Sequence, residues 1–143
     1  MKNPSNQSEW IEAGKQRAAD AKTLLLGDGH SVGPVYMAGY ALECSFKGLL
    51  HLRGESIPKG KEGHNLKNLR RLCNLPWAVM GDKDGLKAHF LEKWTVDLRY
   101  QWDKVDMGYP YEDLVGAVGK ICGYIQKIVL REGRKQSARG KSK

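Results

Sequence analysis

Val35-Tyr36-Met37-Ala38-Gly39-Tyr40-Ala41-Leu42-Glu43-Cys44-Ser45-Phe46-Lys47-Gly48-Leu49-Leu50-His51-Leu52 is apolar or small at nearly every position, yet it carries one acid and one base four residues apart. Glutamate four residues N-terminal to lysine places the two side chains side by side on a helix. Taking such a pair out of water costs free energy unless partners satisfy it. The run therefore reads as a core helix, opened by Ser31-Val32-Gly33-Pro34 and closed at Gly54, because proline is preorganised for a first helical turn. Glu43 and Lys47 are either a packing device or a piece of chemistry.

Upstream, Ser8 is the expected N-cap of a first helix with Glu9 in its first turn, where the helix dipole favours an acid. Trp10, Gly14, Ala18, Ala21, Leu24 and Leu25 recur at helical spacing, and Gly27 or Gly29 ends the element. Downstream, residues 54–63 read as an exposed loop rich in glycine, proline and charge. Asn65 then caps a short helix that turns Leu66, Leu69 and Leu72 inward, and Pro76 limits it. Asp82 or Asp84 is expected to cap a further short helix carrying Leu86 and Phe90.

Thr95 to Pro110 has no clean period, but Trp94, Arg99, Tyr100, Trp102 and Tyr109 make the region aromatic, which predicts that it packs onto the bundle. The last helix is the clearest, with Leu114, Val115, Val118, Ile121, Cys122, Ile125, Ile128 and Val129 on one face. No strand alternation and no long repeat appears. The expected fold is an all-α, up-down antiparallel bundle of four to five helices in one domain, residues 8–131, with 132–143 as a basic disordered tail.

Composition narrows the function classes. Of the formal +8 charge on 143 residues, most lies in the tail, where Arg131 to Lys143 holds six basic residues and one acid, leaving +3 for the rest. Such a tail is suited both to salt-sensitive attraction to anionic partners and to solubility alone. No apolar run approaches the ~20 residues of a membrane span. The first residues lack the apolar core of a secretion signal, so a cytoplasmic protein with no membrane association is expected. Cys44, Cys73 and Cys122 have no Cys-x-x-Cys spacing and read as buried apolar thiols. With no phosphate loop, carboxylate metal pattern or nucleophile motif, no metal and no cofactor is expected.

Tyr36 to Leu50 resembles the central helix of the HEPN family, which carries an alanine, then glutamate and lysine four residues apart. Gly63-His64-Asn65-Leu66 is similar to the start of that family's next helix, and Trp94-x-x-x-Leu98-Arg99-Tyr100 to a segment of many members. The resemblance covers roughly residues 8–131. It implies a small domain that often forms a homodimer in bacterial toxin–antitoxin and phage-defence systems. Members cut RNA without metal, bind nucleotides or RNA, or accompany a nucleotidyltransferase or toxin partner, so fold alone does not choose among them. Catalytic members place an arginine four to six residues before a histidine near the last long helix. His30, His51, His64 and His89 include none so placed, which counts against catalysis.

The candidate ligand-binding set is therefore Glu43, Lys47, Arg99 and Tyr100. Arginine offers a planar fork for phosphate, and tyrosine a stacking face with a polar end. Arg99 is also placed to neutralise Glu43, which would make the set structural. If the chain is a divergent metal-independent ribonuclease, its candidates are Lys47, His51, His64 and Arg99, with histidine as the group that titrates near neutrality. His64 also reads as an anchor for the helix start, and His51 as a cation at a helix C-terminus. Lys59, Lys61, Lys67, Arg70 and Arg71 form a basic surface suited to RNA or a nucleotide, or simply to solvent. A structural protein whose polar residues specify dimerisation is the remaining reading.

Overall fold

The computed structural model describes residues 2–27, 29–76 and 80–141. Among these it contains five helices and no strand. They are α1 (Gln7–Leu25), α2 (Gly33–Leu52), α3 (Leu66–Cys73), α4 (Leu86–Lys93) and α5 (Tyr111–Lys141), with short 3-10 turns at Gly60–His64 and Val96–Tyr100. No helix among the described residues is long and apolar enough to cross a membrane.

The chain's own punctuation sets most boundaries. Asn6, rather than Ser8, is the N-cap of α1, and its side chain accepts from Glu9 N–H at 2.9 Å. That pairing puts glutamate at the third helical position, the arrangement of a capping box. Pro34 lies in the first turn of α2. Asn65 caps α3 by accepting from Asn68 N–H at 3.0 Å. Asn74, at φ 52°, stops α3 in the left-handed conformation that asparagine tolerates, so the helix ends before Pro76 acts. Asp82 reaches past the start of α4 and accepts from Lys87 and Ala88 N–H, while Asp84 accepts from Leu86 N–H.

α2 is the axis of the bundle. From Ala41 to Leu50 every residue on it is buried, because α1 covers one side, α5 a second, and the 60s turn with Trp94 a third. The near neighbours Leu24 with Gly33, Gly14 with Ala41 and Ser45, and Ile11 with Gly48 give α1 and α2 an antiparallel register. Ser45 beside Cys122, and Arg53 beside Glu132, run in the same order along α2 and α5, so these two helices are parallel. Intervening segments return the chain, as an up-down bundle requires. Leu42, Phe46, Leu49, Leu66, Leu69, Phe90, Leu114, Ile121 and Ile125 are essentially inaccessible to water. Each such side chain contributes about 1.5–3 kcal/mol relative to exposure.

Three further expectations change. Leu72 is 37% exposed, and Cys73 takes the inward position in α3 instead. Of the aromatic segment, Trp94 and Leu98 pack inside, but Tyr100 is 69% and Trp102 94% exposed, so the loop tip does not dock. The tail expected to be disordered from residue 132 is helical through Lys141, while Ser142 and Lys143 lie outside the described residues. Glu132 accepts from Arg53 Nε and Nη2 at 2.9 and 2.8 Å, and Gln136 donates to the Leu52 carbonyl at 2.9 Å. These bonds tie the first turns beyond residue 131 to the end of α2. The rest continues on residues that favour helix, Arg139 and Ala138 among them.

Candidate functional site

Glu43 is 5% exposed, and both of its carboxylate oxygens are engaged. Oε2 accepts from Lys47 Nζ at 2.9 Å, one helical turn on. Oε1 lies 2.7 Å from His64 Nδ1, brought in from the end of the 3-10 turn. A carboxylate only accepts, so Nδ1 carries the proton, and the tautomer leaves Nε2 as the other polar atom of the ring. The His64 side chain is 41% exposed. A buried acid thus orients a half-exposed imidazole from behind.

Local sequence explains how the turn comes so close. A Cβ on Gly63 would stand 2.6 Å from the Pro58 carbonyl and 3.6 Å from Lys47 Nζ. Only glycine lets residues 58–63 fold down over the ammonium. On the other side, Lys47 Nζ lies 5.4 Å from the centre of the Trp10 ring, a cation–π approach that helps hold it in a site nearly closed to water. The ammonium is therefore enclosed by α1, by the 60s turn and by Glu43. Breaking such a pair by removing one partner costs about 3–5 kcal/mol.

Tyr40 continues the polar stripe one turn back. Its hydroxyl lies 3.3 Å from that of Tyr36, and its ring meets His64 and Trp94 edge-on at 6.5 and 5.6 Å between centroids. Burial, with the bond to Tyr36 second, pushes the Tyr40 phenol well above its ordinary range. It is a neutral hydroxyl, not a base. Trp94 reaches this position because Gly39 has no side chain. A Cβ there would fall 1.8 Å from the indole Cε2. Buried against that glycine, Trp94 Nε1 has no hydrogen-bond partner in the structure.

Two cavities meet at His64. One, about 580 Å³, is lined by Trp10, Lys47, His51, Lys59 and residues 3–5. The other, about 800 Å³, is lined by Lys61, Lys67, Trp94, Asp97 and Arg99. Gly60 and His64 border both. A third cavity, about 610 Å³, lies around His89, Lys93 and Met107 and shares Thr95 and Asp97 with the second.

The structure therefore gathers Glu43, Lys47 and His64, with His51 nearby, but separates them from the other half of the expected ligand-binding set. Arg99 does not neutralise Glu43, whose two oxygens are already taken. Its guanidinium lies 4.7 Å from the Tyr100 ring centre, on the exposed side of the second cavity. Tyr100 borders neither cavity at His64. The basic surface is partly committed as well. Lys67 pairs with Glu92 at 2.9 Å, Arg70 donates to the Leu75 carbonyl, and Arg71 donates to Asn68. Lys59 and Lys61 are exposed beside His64.

The Glu43–His64 bond is the feature that helix periodicity missed. Its signal was the pair of motifs taken together, a buried acid on α2 and a histidine two positions before Leu66. The cysteines are buried as expected, and burial pushes the Cys44 and Cys122 thiols up to about 11 and that of Cys73 to about 12. These are inert thiols. Comparison with protein-family models, with curated proteins and with solved structures returns no match to the chain.

Proposed function

We propose that the chain is a HEPN-like accessory module that binds a nucleotide or a short RNA at the junction of the two cavities, and acts as a homodimer or beside a nucleotidyltransferase or toxin partner in a bacterial defence or toxin–antitoxin system. The observation that carries this reading is the position of His64. Its exposed edge stands between Lys47, His51 and Lys59 on one side and Lys61 and Arg99 on the other. A phosphate at that edge meets cations from both directions, and Arg99 offers the bidentate fork that phosphate favours. Lys47 is held by Glu43 and lends its charge at short range while Glu43 keeps His64 aimed. Tyr100 and Trp102, which follow Arg99 in the chain and lie outside the lining of both cavities, supply exposed rings on which bases stack.

Equilibrium binding of AMP and of a short oligouridylate tests the reading. The expected result is binding that weakens about tenfold or more in Arg99→Ala and His64→Ala, with affinity falling as salt rises. Unchanged affinity in both variants would remove the junction as the site. Binding that disappears when residues 132–143 are deleted, but survives both substitutions, would assign the charge to the end of α5 alone.

One observation favours a second reading, a metal-independent ribonuclease. Glu43 engages His64 through Nδ1, so Nε2 is the ring nitrogen turned away from the acid and the one placed to act as a base. In that reaction the imidazole takes the 2′-hydroxyl proton, O2′ bonds to phosphorus, the P–O5′ bond breaks, the leaving O5′ takes a proton from water, and the imidazolium returns its proton to the hydroxide so formed. Arg99 would neutralise the phosphorane charge. RNA incubated with the protein in chelator would be cut by the parent chain and left whole by His64→Ala. Intact RNA with the parent chain rejects this reading and leaves the binding module.

A further inference from the structure

Residues 3–5 form one wall of the cavity that holds Lys47 and His51, and Ile57, Pro58 and Lys59 line it as well. This segment precedes α1 and its recorded polar ties converge on Glu9. Ser5 donates to Glu9 Oε1 from N–H at 3.3 Å and from its hydroxyl at 2.7 Å, Asn6 Nδ2 donates to the same oxygen at 3.2 Å, and Lys2 Nζ lies 3.3 Å from Oε2. The bond from the Ser5 hydroxyl, followed by that from Lys2, holds the Glu9 carboxyl below its ordinary range. The partners Lys2, Ser5 and Asn6 are exposed. Water competes for each of these bonds, so the wall is held at one point and lightly. The lining from residues 57–63 is different. Gly63 is buried and presses on Pro58 and Lys47, and Ile57 packs against the core.

We propose that residues 2–5 are a displaceable strap over the Lys47 and His51 side of the His64 site, with Glu9 as its clasp, and that an anionic ligand enters that cavity as the clasp opens. The inference rests on the binding reading given above for the same junction. Opening costs the bundle little, because the strap contributes no residue to the core cluster. It also frees Lys2 from Glu9, and its ammonium becomes a further cation for the arriving anion. The capping bond from Glu9 N–H to Asn6 is separate from the clasp and keeps α1 started while the strap moves.

The test reads the two cavities with thiols. Ile57→Cys places a probe inside the strapped cavity, and Val96→Cys one inside the neighbouring cavity that the strap does not border. The native cysteines are buried and give a slow background. Alkylation by a neutral maleimide is followed in the full chain, with and without Glu9→Asp, which keeps an acid in the first turn but shortens its reach. Ser5→Ala is the second clasp variant. The strap predicts several-fold faster reaction at Ile57→Cys in both clasp variants and no change at Val96→Cys. An unchanged rate at Ile57→Cys, or equal acceleration at both probes, overturns it.

An oligouridylate titration separates this inference from the reading beneath it. Faster alkylation in the clasp variants without any oligonucleotide binding keeps the strap and rejects the ligand. Tight binding by the parent chain, with clasp variants that neither react faster nor bind faster, keeps the ligand and rejects the strap.

Discussion

Two faces of α2 answer the same burial requirement by opposite means. Toward α1 the helix presents Ala41, Ser45 and Gly48, and α1 answers with Gly14 and Ile11, so the backbones approach until a Cβ on Gly14 would stand 3.0 Å from Ser45 Oγ and 3.1 Å from the Ala41 carbonyl. The Ser45 hydroxyl there is satisfied by its own helix through the Ala41 carbonyl at 2.8 Å. Toward the 60s turn the helix presents Tyr40, Glu43 and Lys47, and satisfaction comes partly from His64, twenty-one residues along the chain. The first face asks only for small residues. The second asks for a particular partner, and that partner keeps one side in solvent. Shape alone specifies the first interface, whereas the second holds a group that can meet a ligand.

The largest effect is expected from breaking the polar face. Glu43→Ala leaves Lys47 buried and unpaired and should cost about 3–5 kcal/mol in urea unfolding. Glu43→Leu combined with Lys47→Met removes both charges and should cost clearly less than the single change, because no buried charge remains uncompensated. A double variant as unstable as Glu43→Ala would mean that the pair stabilises by its own attraction, and the contrast between the faces would collapse.

The apolar face should fail more gently. Gly14→Leu puts bulk against the Ala41 backbone and is expected to cost about 1–3 kcal/mol, the usual range for overpacking, with oligonucleotide affinity unchanged. Affinity lost in parallel with stability would show that the two faces are not independent.

This contrast also explains what could be read in advance. Periodicity identified α2 and α5 because burial repeats every 3.6 residues, and Asn65 identified the start of α3 because its cap lies within three residues. The segment around Arg99 carries no such local signal. Whether Arg99 or His64 would answer Glu43 depends on how closely the 60s turn approaches α2, and that depends on Gly63 having no side chain near Pro58. The same limit applied to the end of α5. Its charge run looked solvated and unfolded, and the Arg53 and Leu52 contacts that hold it come from 79 and 84 residues away.

His64→Ala sharpens the comparison from the ligand side. The ring is 41% exposed, but its loss leaves the buried Glu43 Oε1 without a partner, so it should cost about 1–3 kcal/mol, less than Glu43→Ala, while ligand binding falls sharply. A large stability loss with intact binding would make His64 an anchor for α3 and nothing more.

The smallest effect belongs to the ion pair at the far end of α2. The bond to Arg53 holds the Glu132 carboxyl below its ordinary range, and the same bond raises Arg53, so the two shifts agree. A lowered folded value means that the pair stabilises fully above the ordinary carboxylate value of about 4.3 and is lost as pH falls through the lower folded one. Glu132→Gln should therefore cost about 0.5–1 kcal/mol near neutral pH, and the difference from the parent chain should close as acid protonates Glu132 in both states. Thermal unfolding of both proteins from pH 7 down to pH ~3 measures this. A gap that persists in acid would assign the effect to packing of the Glu132 stem against α2, and the two ends of α2 would then differ in kind as its two faces do.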